Sequence, residues 1–188
     1  MDLMFVVDSS GSVREHQASN TTDNWNLTLQ FVKDVVRTGT RVGHYYDRVA
    51  LIVFSRLAEL AFDFNRYSSQ SDVLAAVERL RYHGSTTNTS LAIDLGRRVF
   101  RNASYGSRPN ATHIMLLITD LYAEPDPGWR ARFASSVALL NSTTNVKRFR
   151  KFFPANCQCC DPLAAVLVSC LALSICRLFI FWLARCKL

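Results

Sequence analysis

Leu3-Met4-Phe5-Val6-Val7-Asp8-Ser9-Ser10-Gly11-Ser12 decides how this chain is read. Five apolar residues in a row, closed by a Ser/Gly turn, describe a strand buried on both faces. The carboxylate of Asp8 and the hydroxyls of Ser10 and Ser12 follow at every second residue. They offer three hard oxygen donors on one turn, the donor type that Mg²⁺ or Mn²⁺ selects.

Outward from that strand the chain alternates. Trp25, Leu29, Val32 and Val36 form the stripe of an amphipathic helix, and Arg48 to Phe54 reads as a second buried strand. Leu60 to Phe64 reads as a short third strand. Ser69 or Ser71 is placed to cap a helix that buries Val73, Val77 and Leu80. A polar turn, Gly84-Ser85-Thr86-Thr87-Asn88-Thr89, leads into a helix expected to face inward with Leu91, Leu95 and Val99. His113 to Thr119 is the most apolar strand and ends at Asp120; a last helix carries Trp129, Phe133, Val137 and Leu140. His113, at its strand start, reads as a half-buried structural residue.

Strands alternating with helices predict an α/β fold: a doubly wound, Rossmann-like, mostly parallel sheet with helices on both faces and right-handed crossovers throughout. Ligands in such sheets bind beyond the carboxyl ends of the strands, where strand order reverses. Asp8, Ser10 and Ser12, Thr87, and Asp120 all fall at such ends or beside a helix start. That placement predicts that they converge.

The formal charge of +7 is not spread evenly. Residues 1–146 hold 15 Lys/Arg against 14 Asp/Glu, whereas residues 147–188 hold seven against one. No basic stripe interleaved with aromatics marks the first part, which argues against nucleic-acid binding. All six cysteines lie beyond residue 156, so residues 1–156 fold without disulfides or thiolate metal sites. Cys157-Gln158-Cys159-Cys160 lacks a second Cys/His pair at zinc-ligand spacing and suits acylation or a disulfide better.

Three segments follow: a folded domain over 1–146, a basic, Cys-rich linker over 147–162, and an apolar helix over 163–184. The last is interrupted by Ser169, Ser174 and Arg177 and is long enough to span an about 30 Å hydrocarbon core. Arg177 costs that helix about 2 to 3 kcal/mol on insertion scales. Asn-X-Ser/Thr sequons begin at Asn20, Asn26, Asn88, Asn102, Asn110 and Asn141, where chance gives about two. Asn20, Asn26, Asn102, Asn110 and Asn141 stand as glycosylation candidates. Met1-Asp2 leads straight into the first strand, so no signal peptide is read there.

Lys147, Arg148, Arg150 and Lys151 before the apolar stretch outnumber Arg185 and Lys187 after it, which favours a cytosolic domain. The sequons favour the opposite side and outweigh that bias here. The expected location is a single-pass membrane protein with its domain extracellular, or the matrix if the chain belongs to a longer one.

Asp8-Ser9-Ser10-Gly11-Ser12, the strand Arg48 to Ser55, the turn Gly84 to Thr89, and Leu116-Leu117-Ile118-Thr119-Asp120 together resemble the von Willebrand factor type A domain family. The likeness covers about residues 2 to 140, in the manner of collagen VI and matrilin modules. It implies a metal-ion-dependent adhesion site with Asp8, Ser10, Ser12, Thr87 and Asp120 as ligands of Mg²⁺ or Mn²⁺. The implied partner is a matrix or cell-surface protein supplying an acidic residue, bound without catalysis. Leu121 and Ser90 stand where family members commonly have Gly. The family continues with a further strand, helix and strand where this chain has Lys147 to Pro154 and the cysteine tail, so the domain is expected to be C-terminally truncated, with an open edge beside Ile114 to Thr119.

Enzymatic readings find little support in the sequence. Ser10 and Ser12 lack the Gly-X-Ser-X-Gly elbow of a hydrolase. Asp8 lacks the second aspartate and the lysine motif of a phosphotransfer site. The competing reading is an intracellular scaffold of the same fold, or an incomplete gene product whose tail has no membrane role.

Overall fold

β1 (Asp2–Asp8) is buried along all seven residues because it has a strand on either side and helices above and below. The computed structural model describes residues 1–15, 23–119 and 128–143. Within them α1 (Ser12–Glu15) and α2 (Asn24–Gly39) follow β1, then β2 (Arg48–Phe54), β3 (Ala58–Phe62), α3 (Gln70–Glu78), α4 (Thr89–Arg101), β4 (His113–Ile118) and α5 (Trp129–Thr143). A 3₁₀ turn, Ala103–Tyr105, separates α4 from β4. The sheet order is β3-β2-β1-β4.

β1 runs parallel to β2 and to β4, with Asp8 opposite Phe54 and Val7 opposite Ile118. β3 differs from the crossover expected of every strand. It pairs antiparallel to β2 and occupies Ala58–Phe62, two residues earlier than the Leu60 to Phe64 predicted. The reason is the connection: Ser55-Arg56-Leu57, closed by Ser55 N–H donating to Leu57 O at 2.9 Å, suits a hairpin and is too short for a crossover.

Alternation along the strands divides the core between two faces. Leu3, Phe5 and Val7 pack with Leu51, Val53 and Leu116 under α2 and α3. Met4, Val6, Ile52, Phe54 and Met115 pack under α4. Trp25, Leu29, Val32 and Val36 of α2, and Val73 and Val77 of α3, are buried as the periodicity predicts. Ser69 is the residue that caps α3, accepting from Asp72 N–H, while Leu80 lies past the helix end and is partly buried.

The stripe on α4 is rotated from the one expected. Ala92, Ile93, Gly96, Val99 and Phe100 are buried, and Leu91 and Leu95 are only half-buried. α4 crosses β1, β2 and β3 and lies close to the sheet, so small residues occupy the crossing. A Cβ on Gly96 would meet the Met115 methyl and sit 3.0 Å from Met4 Sδ. In α5, Phe133 packs on this second core and Leu139 is exposed; the side chains of Trp129, Val137 and Leu140 lie outside the described residues.

A polar cluster closes the amino end of the sheet. Asp2 is fully buried and accepts from Arg108 N–H at 2.7 Å, Nε at 2.9 Å and Nη2 at 2.6 Å. His113 is more buried than expected, 8 % exposed, stacked on Phe100 with ring centroids 4.8 Å apart. Its Nε2 lies 2.9 Å from Arg108 O. Burial follows from its place at the start of β4 beneath that cluster.

The linker over 147–162 and the apolar segment over 163–184 lie outside the described residues, as does whatever follows α5 toward the open edge expected beside β4. β4 is an edge of the sheet among the described residues. Among those residues no helix is long and apolar enough to cross a membrane.

Candidate metal centre

Asp8 is the last residue of β1 and 1 % exposed, so its carboxylate is held by neighbours and not by solvent. Oδ1 accepts from the Ser10 amide at 2.8 Å, the bond of an Asx turn that folds the chain back over the strand end. Oδ2 accepts from the Thr119 hydroxyl at 2.5 Å. The hydroxyls of Ser10 and Ser12 lie 3.1 Å apart, one donating to the other. Asp8, Ser10 and Ser12 thus share one turn, with Ser10 tied to Asp8 through its amide and to Ser12 through its hydroxyl.

The loop that carries Thr87 is docked on this turn by backbone bonds. Gly84 N–H donates to Ser9 O at 2.8 Å, and Gly11 N–H donates to Ser85 O at 2.7 Å. Asn88 N–H donates to Ser55 O at 2.9 Å, tying the loop to the end of β2, while the Asn88 side chain caps α4 by accepting from Leu91 N–H. Thr87 is half-buried and Thr86 exposed. Asp120 lies outside the described residues; Thr119 before it reaches Asp8. Ser90, where family members commonly have Gly, is buried, and among the described residues its hydroxyl has no hydrogen-bond partner.

Three contributors were not read from the sequence. Thr119 was legible in principle, because parallel register places the residue after Ile118 beside Asp8. Ser9, fully buried, donates its hydroxyl to Phe54 O at 3.0 Å and lies 3.2 Å from His83 Nδ1. Tyr82 O–H donates to Ser10 O at 2.9 Å and to Gly11 O at 3.1 Å. No spacing rule announces the last two, since each depends on how the 80–88 loop docks.

This donor set fits a hard, oxygen-seeking dication. Mg²⁺ takes few protein carboxylates and keeps several waters, and one buried carboxylate flanked by hydroxyl oxygens meets that demand. Among the described residues no group of three or more His, Cys, Asp or Glu side chains could hold a metal, so a softer, imidazole- or thiolate-type site has no basis there.

The sequence profile of the von Willebrand factor type A domain matches residues 2–149. The human collagen alpha-6(VI) chain is 32% identical over 119 residues, which cover 63% of this chain and 5% of that one. Mouse integrin alpha-2 is 31% identical over 121 residues, 64% of this chain and 9% of that one. The matched segment is thus a small part of these relatives. Among solved structures, proximal thread matrix protein 1 from the mussel byssus, with a zinc-occupied MIDAS motif, superimposes with a TM-score of 0.62 at 20% identity over 73% of this chain and 35% of that one. At that identity the likeness speaks for the fold.

Proposed function

The chain belongs to the von Willebrand factor type A domain family, and from that premise we propose that it binds a protein ligand through a divalent cation, without catalysis. Asp8, Ser10, Ser12, Thr87 and Asp120 are the proposed ligands. The observation that carries the reading is a buried carboxylate at the end of a central strand with the Ser10 and Ser12 hydroxyls paired beside it. A bound Mg²⁺ or Mn²⁺ supplies a Lewis-acidic contact point for a carboxylate of the partner.

Each side chain has a distinct task in this proposal. Asp8 supplies the anchoring charge, held in place by the Ser10 amide and the Thr119 hydroxyl. Ser10 and Ser12 donate neutral oxygens that leave the cation under-neutralised and receptive to an acidic residue. Thr87 approaches from the loop docked on Ser9 and Gly11. The ligand class is a matrix or cell-surface protein presenting Asp or Glu.

The proposed organisation is a domain over 1–146, a linker over 147–162 and a membrane helix over 163–184, with the domain outside the cell. Asn26, Asn102 and Asn110 are exposed, as glycan acceptors must be; Asn20 lies outside the described residues, and so does the Asn141 side chain.

Isothermal titration of Mg²⁺ into the full chain and its Asp8→Ala variant tests the metal reading. Saturable binding by the wild type and none by the variant is expected. Equal binding by both removes Asp8 from the site.

A further inference from the structure

We propose that Tyr82 is a positioning residue for the metal turn, a strap that sets the directions of the Ser10 and Ser12 hydroxyls; this rests on the metal reading above. Its hydroxyl donates to two consecutive carbonyls, Ser10 O at 2.9 Å and Gly11 O at 3.1 Å. Those carbonyls belong to the two peptide units that join Ser10 to Ser12. Gly11, without a Cβ, is the softest point of that segment, and rotation there would redirect both flanking side chains.

The ring is clamped as firmly as the hydroxyl. The Arg14 guanidinium lies 4.1 Å from the Tyr82 centroid, and the Trp25 ring packs at 5.8 Å, tilted by 56°. Arg14 in turn donates Nε and Nη2 to the Asp23 carboxylate at 3.2 and 2.8 Å. Asp23 also caps α2 by accepting from Trp25 N–H at 3.0 Å. A connected path thus runs from the start of α2 through Asp23, Arg14 and Tyr82 to the carbonyls between the two serines. Tyr82 thus adds a side-chain link between the 80–88 loop and the oxygen-donor turn to the backbone bonds that already dock the loop there.

The test separates positioning from mere support. Tyr82→Phe keeps the ring, the Arg14 contact and the Trp25 contact while deleting the shared donor. In the full chain, Mg²⁺ affinity by isothermal titration is expected to fall roughly five- to twentyfold, the scale of a lost hydrogen bond pair. The melting temperature in EDTA should move by only a few degrees. Wild-type affinity in Tyr82→Phe, with Asp8→Ala silent, overturns the strap and leaves the metal reading standing. A flat wild-type titration removes both. Arg14→Gln supplies an independent arm should Tyr82→Phe fold poorly: it frees one face of the ring and should weaken Mg²⁺ about two- to threefold, scaled from a cation–π contact. Unchanged affinity there, with Tyr82→Phe unfolded, overturns the strap.

Discussion

Asp2 and Asp8 stand at opposite ends of one strand, and both carboxylates are buried. Their surroundings differ in kind. Arg108 grips Asp2 through its amide and its guanidinium, so that charge is cancelled in place and serves the fold. At Asp8 the Ser10 amide and the Thr119 hydroxyl, both neutral donors, hold the carboxylate oxygens. Removing a partner from a buried pair costs more than the pair contributes, because the survivor is left charged and desolvated. Arg108 is 28% exposed and Asp2 0%, so the asymmetry is clear: the aspartate cannot reach water. Arg108→Ala should therefore destabilise by about 3 kcal/mol. Asp2→Asn, which keeps an acceptor for the Arg108 amide, should cost about 1 to 2 kcal/mol. Urea denaturation of the two variants checks the order. A larger loss in Asp2→Asn would contradict the burial argument.

At the scale of elements, patterns local to the chain were the readable ones. α2 announced itself by Trp25, Leu29, Val32 and Val36, and β1, β2 and β4 by apolar runs that only a two-sided strand needs. The direction of β3 depended on a three-residue connection, and the inward face of α4 on how near its axis comes to Met4 and Met115. Neither is a property of periodicity. The same limit applies at the site: Asp8, Ser10 and Ser12 share one turn and were legible, whereas Tyr82 acts from a separate loop. Gly106 shows a turn governed by backbone conformation. Its φ of 80° ends the 3₁₀ turn in the left-handed region, its carbonyl accepts from Arg48 at 2.8 Å, and a Cβ there would lie 2.9 Å from the Asn65 amide nitrogen. Gly106→Ala is expected to cost about 1 to 3 kcal/mol. Because this turn lies at the amino end of β4, away from Asp8, thermal melts should shift while Mg²⁺ affinity stays at the wild-type value.

Across the whole molecule, parallel pairing of β1 with β2 and β4 gives the sheet two functional poles. The proposed metal lies at the carboxyl pole. Asn102, just past α4, and Asn110, just before β4, are exposed near the other. Glycans at these two positions would lie away from the proposed metal, whereas Asn26, also exposed, stands in the first turn of α2 next to the Asp23–Arg14–Tyr82 path that leads to it. Expression in a secretory host followed by glycosidase treatment should increase gel mobility. No change in mobility would favour the intracellular scaffold. The register has a consequence in time as well as space. Thr119 and Asp8 are 111 residues apart, while β2 and β3 meet across a short hairpin. During synthesis the hairpin can form early, but the central strand must wait for β4 before it is flanked. The donor set proposed above is thus among the last features to assemble, and a cation bound there would select the finished sheet and not nucleate it.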